Sequence, residues 1–194
     1  MKKNIVLILL ILSVNLKGQD ITNRINEIRY MYQKAQNEKE HYTKQVKDIT
    51  WDSFEYDEEE DRSLKKNITY YYDANEMVMA LIHTSIISDY SSYRNDVECY
   101  FKNDSLFFVY SIERRCNRTS FNPEQSNETI NVTEERIYFD AYENCIRFLK
   151  KEAEGTTETI DSICEKKQNI EQDCSKSVNI INEIFSLLKN GPKK

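Results

Sequence analysis

Three stretches of the chain, Ile68–Met79, Val97–Phe108 and Arg136–Phe148, repeat one pattern of apolar and polar positions. Each alternates residue by residue into an aromatic pair (Tyr71-Tyr72, Tyr100-Phe101, Tyr138-Phe139), crosses a short polar turn, and resumes as a second apolar run. Alternation is the signature of a strand, because successive side chains point to opposite faces. Two such runs joined by a few turn-forming residues read as a β-hairpin. The return strands are Met77–Thr84, Leu106–Glu113 and the run carrying Ile146 and Phe148. Leu106–Glu113 is apolar on both sides, which predicts a central strand with both faces covered. Polar loops at 85–92 and 117–128 separate the hairpins, so the pattern predicts a six-stranded antiparallel meander.

The period changes on either side of the strands. Ile21, Ile25, Ile28, Tyr32, Ala35, Tyr42, Val46 and Ile49 step by three and four, broken only at Lys39. That spacing places one apolar stripe on a helix, with Asp20 as its N-cap and an end near Asp48. A second stripe runs through Ile160, Ile163, Cys164, Ile170, Cys174, Val178, Ile181, Phe185 and Leu188, with Lys167 as its polar interruption. Gly191-Pro192 ends it. The expected fold is therefore α+β: a long N-terminal helix, the meander, and a long C-terminal helix. Trp51 to Lys66 reads as a connection pinned by Trp51, Phe54 and Tyr56. Its acidic run, Asp57 to Asp61, lacks the alternation of ligand and spacer that a calcium loop needs.

The N-terminus has the build of an export signal. Lys2 and Lys3 precede an apolar run from Ile5 to Leu12, and Gly18 sits where a signal peptidase reads a small residue. Cleavage before Gln19 is expected, giving a signal peptide over 1–18, a single α+β domain over 19–190 and a tail over 191–194. The apolar run is too short to span a bilayer, which takes about 20 residues, so no stable membrane span remains after cleavage. The expected location is the periplasm or the extracellular space. Loss of Lys2, Lys3 and Lys17 leaves 24 basic residues against 33 acidic, a net charge near −9. Such a chain repels phosphate backbones, which argues against nucleic acid as a partner.

Five cysteines in an exported chain make disulfides possible and leave an odd thiol. Cys164 and Cys174, placed on one helix, would lie roughly 15 Å apart, too far to bridge. Cys99 shares a strand face with Val97 and Phe101 and reads as a small buried apolar residue. No CxxC and no Cys/His cluster suggests a redox or zinc site. Neither histidine, His41 or His83, has a nucleophile beside it, and no glycine-rich phosphate loop occurs. The expectation is no enzyme, no cofactor and no metal. Tyr71, Tyr100 and Tyr138 occupy the same register in the three repeats and form the candidate ligand-binding set. On a sheet face left open, they would be an aromatic docking stripe for an envelope protein or a glycan. Under a helix, they would be core.

The runs Ile25–Ala35, Val97–Tyr110 and Glu134–Asp140 resemble a group of uncharacterised exported (periplasmic) α+β proteins of Bacteroidota with aromatic β-hairpin repeats. The resemblance spans most of residues 25–150 and is structural in kind, so it implies a fold and a compartment but no activity. The overall expectation is a non-catalytic binding or accessory module of the cell envelope. The alternatives are a small exported hydrolase and a structural protein that self-associates through its long helices.

Overall fold

The computed structural model describes residues 2–49, 63–88, 91–118 and 128–188, with side chains described from residue 20 onward. The aromatic-turn segments are three hairpins: β2 (Ser63–Asp73) with β3 (Glu76–Ile87), β4 (Ser91–Lys102) with β5 (Ser105–Arg118), and β6 (Glu128–Phe139) with β7 (Cys145–Gly155). Two further strands, β1 (Thr43–Asp48) and β8 (Ile170–Gln172), lie at the edges. The result is an open eight-stranded antiparallel sheet in which strand order follows chain order.

The hairpin tips show why the aromatic pairs recur. Asn103 and Asp104 both adopt left-handed backbone, as the two-residue turn from β4 to β5 requires. In the third tip Asp140 Oδ1 accepts from the backbone N–H groups of Tyr142 and Asn144 at 2.8 and 2.9 Å. Behind each tip the register slips by one residue at the aromatic pair. Tyr72 faces Met77 but Tyr71 faces Met79, Phe101 faces Leu106 but Tyr100 faces Phe108, and Phe139 faces Cys145 but Tyr138 faces Arg147. Val78, Phe107 and Ile146 are the extra residues of these bulges, and all three pack into the same apolar cluster. A bulge places two side chains opposite one and increases the local twist. The repeat thus thickens one sheet face near the tips.

Helix α1 (Lys2–Glu38) covers that face, burying Ile25, Ile28 and Ala35 against the strands. The opposite face carries a second core of Ile68, Ile82, Val97, Cys99 and Val109, capped by Ile184 of helix α3 (Val178–Leu188). Helix α2 (Ile160–Lys166) closes a smaller cluster with Val132 and Ala153. Gly155 is where β7 turns into α2. A Cβ there would stand 2.9 Å from Thr159 Oγ1, closer than real Cβ contacts come, and a tight 3.0 Å from Ile163 Cδ1.

The expected six-stranded meander between two long helices is corrected by this architecture. The N-terminal helix stops at Glu38, a short 3₁₀ turn spans Lys39–His41, and Thr43–Asp48 becomes a strand. The physical reason is the backbone of β2, whose outer edge would otherwise be unpaired over Asn67–Tyr72. Val46, a member of the predicted stripe, is 65% exposed on this edge strand. The C-terminal stripe also breaks. Lys167, its polar interruption, is extended at the end of α2, and Ile170 to Gln172 pair with Phe148 to Lys150 of β7. Asp173 then caps a 3₁₀ turn by accepting from Ser175 N at 2.9 Å, and α3 starts afresh. The sheet therefore continues after Gly155, with β8 as its last strand.

Among the described residues no helix is long and apolar enough to cross a membrane. The expected aromatic pins Trp51, Phe54 and Tyr56, the acidic run at 57–61 and the Gly191-Pro192 stop lie outside the described residues.

Candidate functional site

The structure brings the three candidate tyrosines together, but inside the protein. Tyr71, Met79, Tyr100, Phe108 and Tyr138 form one cross-strand row from β2 to β6. Tyr71, Tyr100 and Tyr138 are all buried. Tyr32 of α1 meets the rings of Tyr100 and Phe108 edge-on at 5.2 and 5.4 Å, a favourable aromatic geometry. The Tyr100 hydroxyl hydrogen-bonds Glu98 and Gln36, and Gln36 Nε2 also donates to Glu98 Oε2 at 2.9 Å. Burial and the Glu98 carboxylate keep the Tyr100 phenol protonated well above its ordinary range. The docking role required an open face, and α1 covers this one. The stripe is core.

The opposite face changes character along the strands. Toward the tips it is buried and apolar, as in the row Ala80, Cys99, Val109, Ile137 and Phe148. The next row reads Ile82, Val97, Ser111, Glu135 and Lys150, and the one after it Thr84, Asn95, Glu113 and Thr133. Helix α3 caps the apolar row with Ile184 and presents Ile180, Glu183 and Leu187 beside the polar rows. Between sheet and helix lies a cavity of about 390 Å³. It has an apolar wall of Ile82, Val97, Ile184 and Leu187, and a polar floor centred on β5. Its lining is mostly polar and charged, with the apolar residues confined to one wall.

The cations at this floor are each engaged. Arg115 Nε lies 2.7 Å from Glu113 Oε1, and Tyr93 donates its hydroxyl to Glu113 Oε2 at 3.2 Å. Burial and Glu113 together push the Tyr93 phenol up to about 12. Lys66, nearly buried, reaches Glu183 at 3.9 Å, and Lys150 pairs with Glu152 at 2.7 Å. That hydrogen bond to Glu152 holds the Lys150 ammonium above its ordinary range.

The acceptors are less well served. Glu135 receives only a long contact from Ser111 Oγ, at 3.5 Å. Burial raises its carboxyl above the usual range, while Lys150 on the next strand pulls the other way. Asn95 has a buried Oδ1 that no donor reaches. Buried polar groups are almost always hydrogen-bonded, so such a group marks a specific deficit.

Other polar clusters lie on the α1 side. His83 Nδ1 sits 2.6 Å from Asp96 Oδ1, and Arg94 holds the other oxygen of that carboxylate at 2.7 Å. Glu134 lies between Lys151 at 2.7 Å and Arg136 at 3.0 Å. Cys145 and Cys174 form a disulfide, whereas Cys99, Cys116 and Cys164 are free thiols. Cys116 donates to Glu128 Oε1 at 2.6 Å.

Sequence reasoning missed the cavity. Its signal was present: on β5 the apolar series through Val109 continues at the same parity as Ser111, Glu113 and Arg115. On β6, Thr133 and Glu135 likewise share the face of Ile137. Polar residues on a face whose neighbouring row is core mark a place where the sheet is not packed tightly against its covering layer.

No family model, no curated protein and no solved structure matches the chain, so the site is defined by its own geometry alone.

Proposed function

We propose that this chain is an exported, non-catalytic binding module of the cell envelope, and that the cavity between the sheet and α3 holds its ligand. The observation that carries the reading is the cavity itself, about 390 Å³ between sheet and helix, with one apolar wall and with Glu135 on its floor held only by the long Ser111 contact. Export is supported by Lys2-Lys3 ahead of the apolar run Ile5–Leu12, and by the Cys145–Cys174 disulfide, a bond that persists in oxidising compartments.

A fragment screen by two-dimensional NMR on the labelled protein tests the site. Bound fragments shift the amides of Ser111, Thr133 and Leu187, and Leu187→Trp, which fills the cavity, abolishes those shifts. Hits that cluster elsewhere and survive Leu187→Trp overturn the assignment. N-terminal sequencing of the protein from the cell envelope tests export, with Gln19 as the expected first residue.

The hydrolase reading has one observation in its favour, the contact between Ser111 Oγ and Glu135 in the cavity. Ser111, however, lies mid-strand between β4 and β6, and its backbone amide belongs to the sheet ladder. An amide engaged in that ladder is not available to hold an oxyanion. Helix-mediated self-association is likewise not favoured, because α1 and α3 spend their apolar faces on the sheet.

A further inference from the structure

Resting on that assignment of the cavity, the pattern of polar groups on its floor identifies a ligand class. Ser111 and Glu113 on β5 stand directly across from Glu135 and Thr133 on β6, and all four line the cavity. Strand spacing and rise place them at the corners of a rectangle of roughly 5 by 7 Å. Hydroxyl and carboxylate alternate around it, in the order Ser111, Glu135, Thr133, Glu113. A carboxylate only accepts hydrogen bonds, whereas a hydroxyl both donates and accepts.

The charges of the two carboxylates are answered within the protein. Arg115 Nε lies 2.7 Å from Glu113 Oε1, and Lys150 on β7 stands directly across from Glu135. An anionic ligand would compete with a glutamate for either cation, and a cationic one would lie beside Arg115 or Lys150. Hydrogen-bonding capacity, by contrast, is left over: Glu135 receives only the long Ser111 contact. A neutral hydroxyl fills that capacity, and its bond to a carboxylate is roughly twice as strong as one between neutral groups.

The helix side of the cavity has the opposite character, with Ile180 and Leu187 of α3 in its lining. A ligand held between the two surfaces needs an apolar face and a rim of hydroxyls. A lipid chain has no rim and would desolvate the floor without pairing it. A sugar ring has both, a face of C–H groups and hydroxyls around its edge. The volume of about 390 Å³ is near the lower end of the roughly 300–1,000 Å³ of ligand pockets, which suits a single ring.

We propose that the cavity binds a neutral sugar ring whose hydroxyls bond Glu113, Thr133 and Glu135, and whose C–H face lies against Ile180 and Leu187.

NMR titration of the purified protein with three matched series, built on glucose, galactose and mannose, tests this. Each series holds the neutral hexose, the amino sugar with its ammonium group, and the uronate with its carboxylate. At least one hexose shifts the amides of Ser111, Thr133 and Leu187 saturably. It binds at least about tenfold more tightly than both charged members of its series, a ratio that one charge-assisted hydrogen bond supplies. Glu135→Gln weakens that hexose by about tenfold, and Thr133→Val weakens it several-fold. If in every series a charged member binds as tightly as the hexose, the neutral-sugar assignment is overturned without any variant having to fold. It is equally overturned if no hexose moves those amides while other fragments do, or if the hexose binds Glu135→Gln as well as the unaltered protein. In each of these cases, shifts at Ser111, Thr133 and Leu187 with any compound leave the cavity standing as a binding site. If every sugar and fragment leaves those amides unmoved, the binding-module reading falls together with its ligand class.

Discussion

Cys174, at the start of the 3₁₀ turn that leads into α3, is bonded to Cys145, the first residue of β7, with Cα atoms 5.8 Å apart. The bond ties the helix that caps one core to the tip end of the sheet, across 29 residues of chain. A loop of that length removes denatured-state entropy worth about 3–4 kcal/mol. The double variant Cys145→Ser/Cys174→Ser is expected to lose about that much in urea unfolding, and the unaltered protein to lose it on reduction. Thiol titration in denaturant should find three reactive groups, Cys99, Cys116 and Cys164, before reduction. Unchanged stability in the double variant would show that α3 holds without its tether.

Tyr100 lies at the centre of the α1-side core, in contact with Tyr32, Phe107 and Phe108. Tyr100→Ala leaves a cavity under the helix and is expected to cost about 3–5 kcal/mol. Tyr100→Phe keeps the ring but deprives Gln36 and Glu98 of the hydroxyl, at about 1–2 kcal/mol. Denaturant midpoints give both values. A stable Tyr100→Ala protein would restore the exposed-stripe idea.

The carboxylate of Glu134 and the ammonium of Lys151 are nearly buried together, with side-chain exposures of 10% and 12%. Glu134→Leu strands the lysine charge and takes the carboxylate from Arg136, and is expected to cost about 3–5 kcal/mol, whereas Glu134→Leu/Lys151→Met, in which only the Arg136 contact is lost, is expected to recover most of it. A double-mutant cycle measures the coupling. Additive losses would mean that the pair does not act as a unit.

Burial raises the Glu135 carboxyl above its ordinary value, so the folded protein binds its proton more tightly than the unfolded chain does. The sign is then set: this group's contribution to stability is greatest at low pH. It declines as pH rises from the ordinary glutamate value through the raised folded value. Glu135→Gln is therefore expected to gain stability relative to the unaltered protein as pH rises through that window. Melting temperatures of the two proteins from pH 4 to pH 8 supply the difference; a constant gap would deny the linkage.

The hairpins were legible because their information is local. Alternation, an aromatic pair and turn residues such as Asn103-Asp104 specify a ribbon without reference to the rest of the chain. The bulges could be located only from pairing, since Val78, Phe107 and Ile146 look like ordinary strand residues. The cavity was half-legible: Ser111, Glu113 and Glu135 announce polar positions on a core face, but not that a helix lies across them.

Sequence alone determined the three hairpins, their antiparallel order and the buried, apolar character of Cys99, all of which depend on neighbours within a few residues or on strand parity. Tertiary structure decided the edges and the covering layers. Thr43–Asp48 and Ile170–Gln172 carry apolar spacing compatible with a helix, yet they lie along open strand edges whose unpaired backbone groups outweigh local preference. Whether Tyr71, Tyr100 and Tyr138 face water or α1 was decided in the same way, because burial belongs to the element that packs on a residue and not to the residue itself.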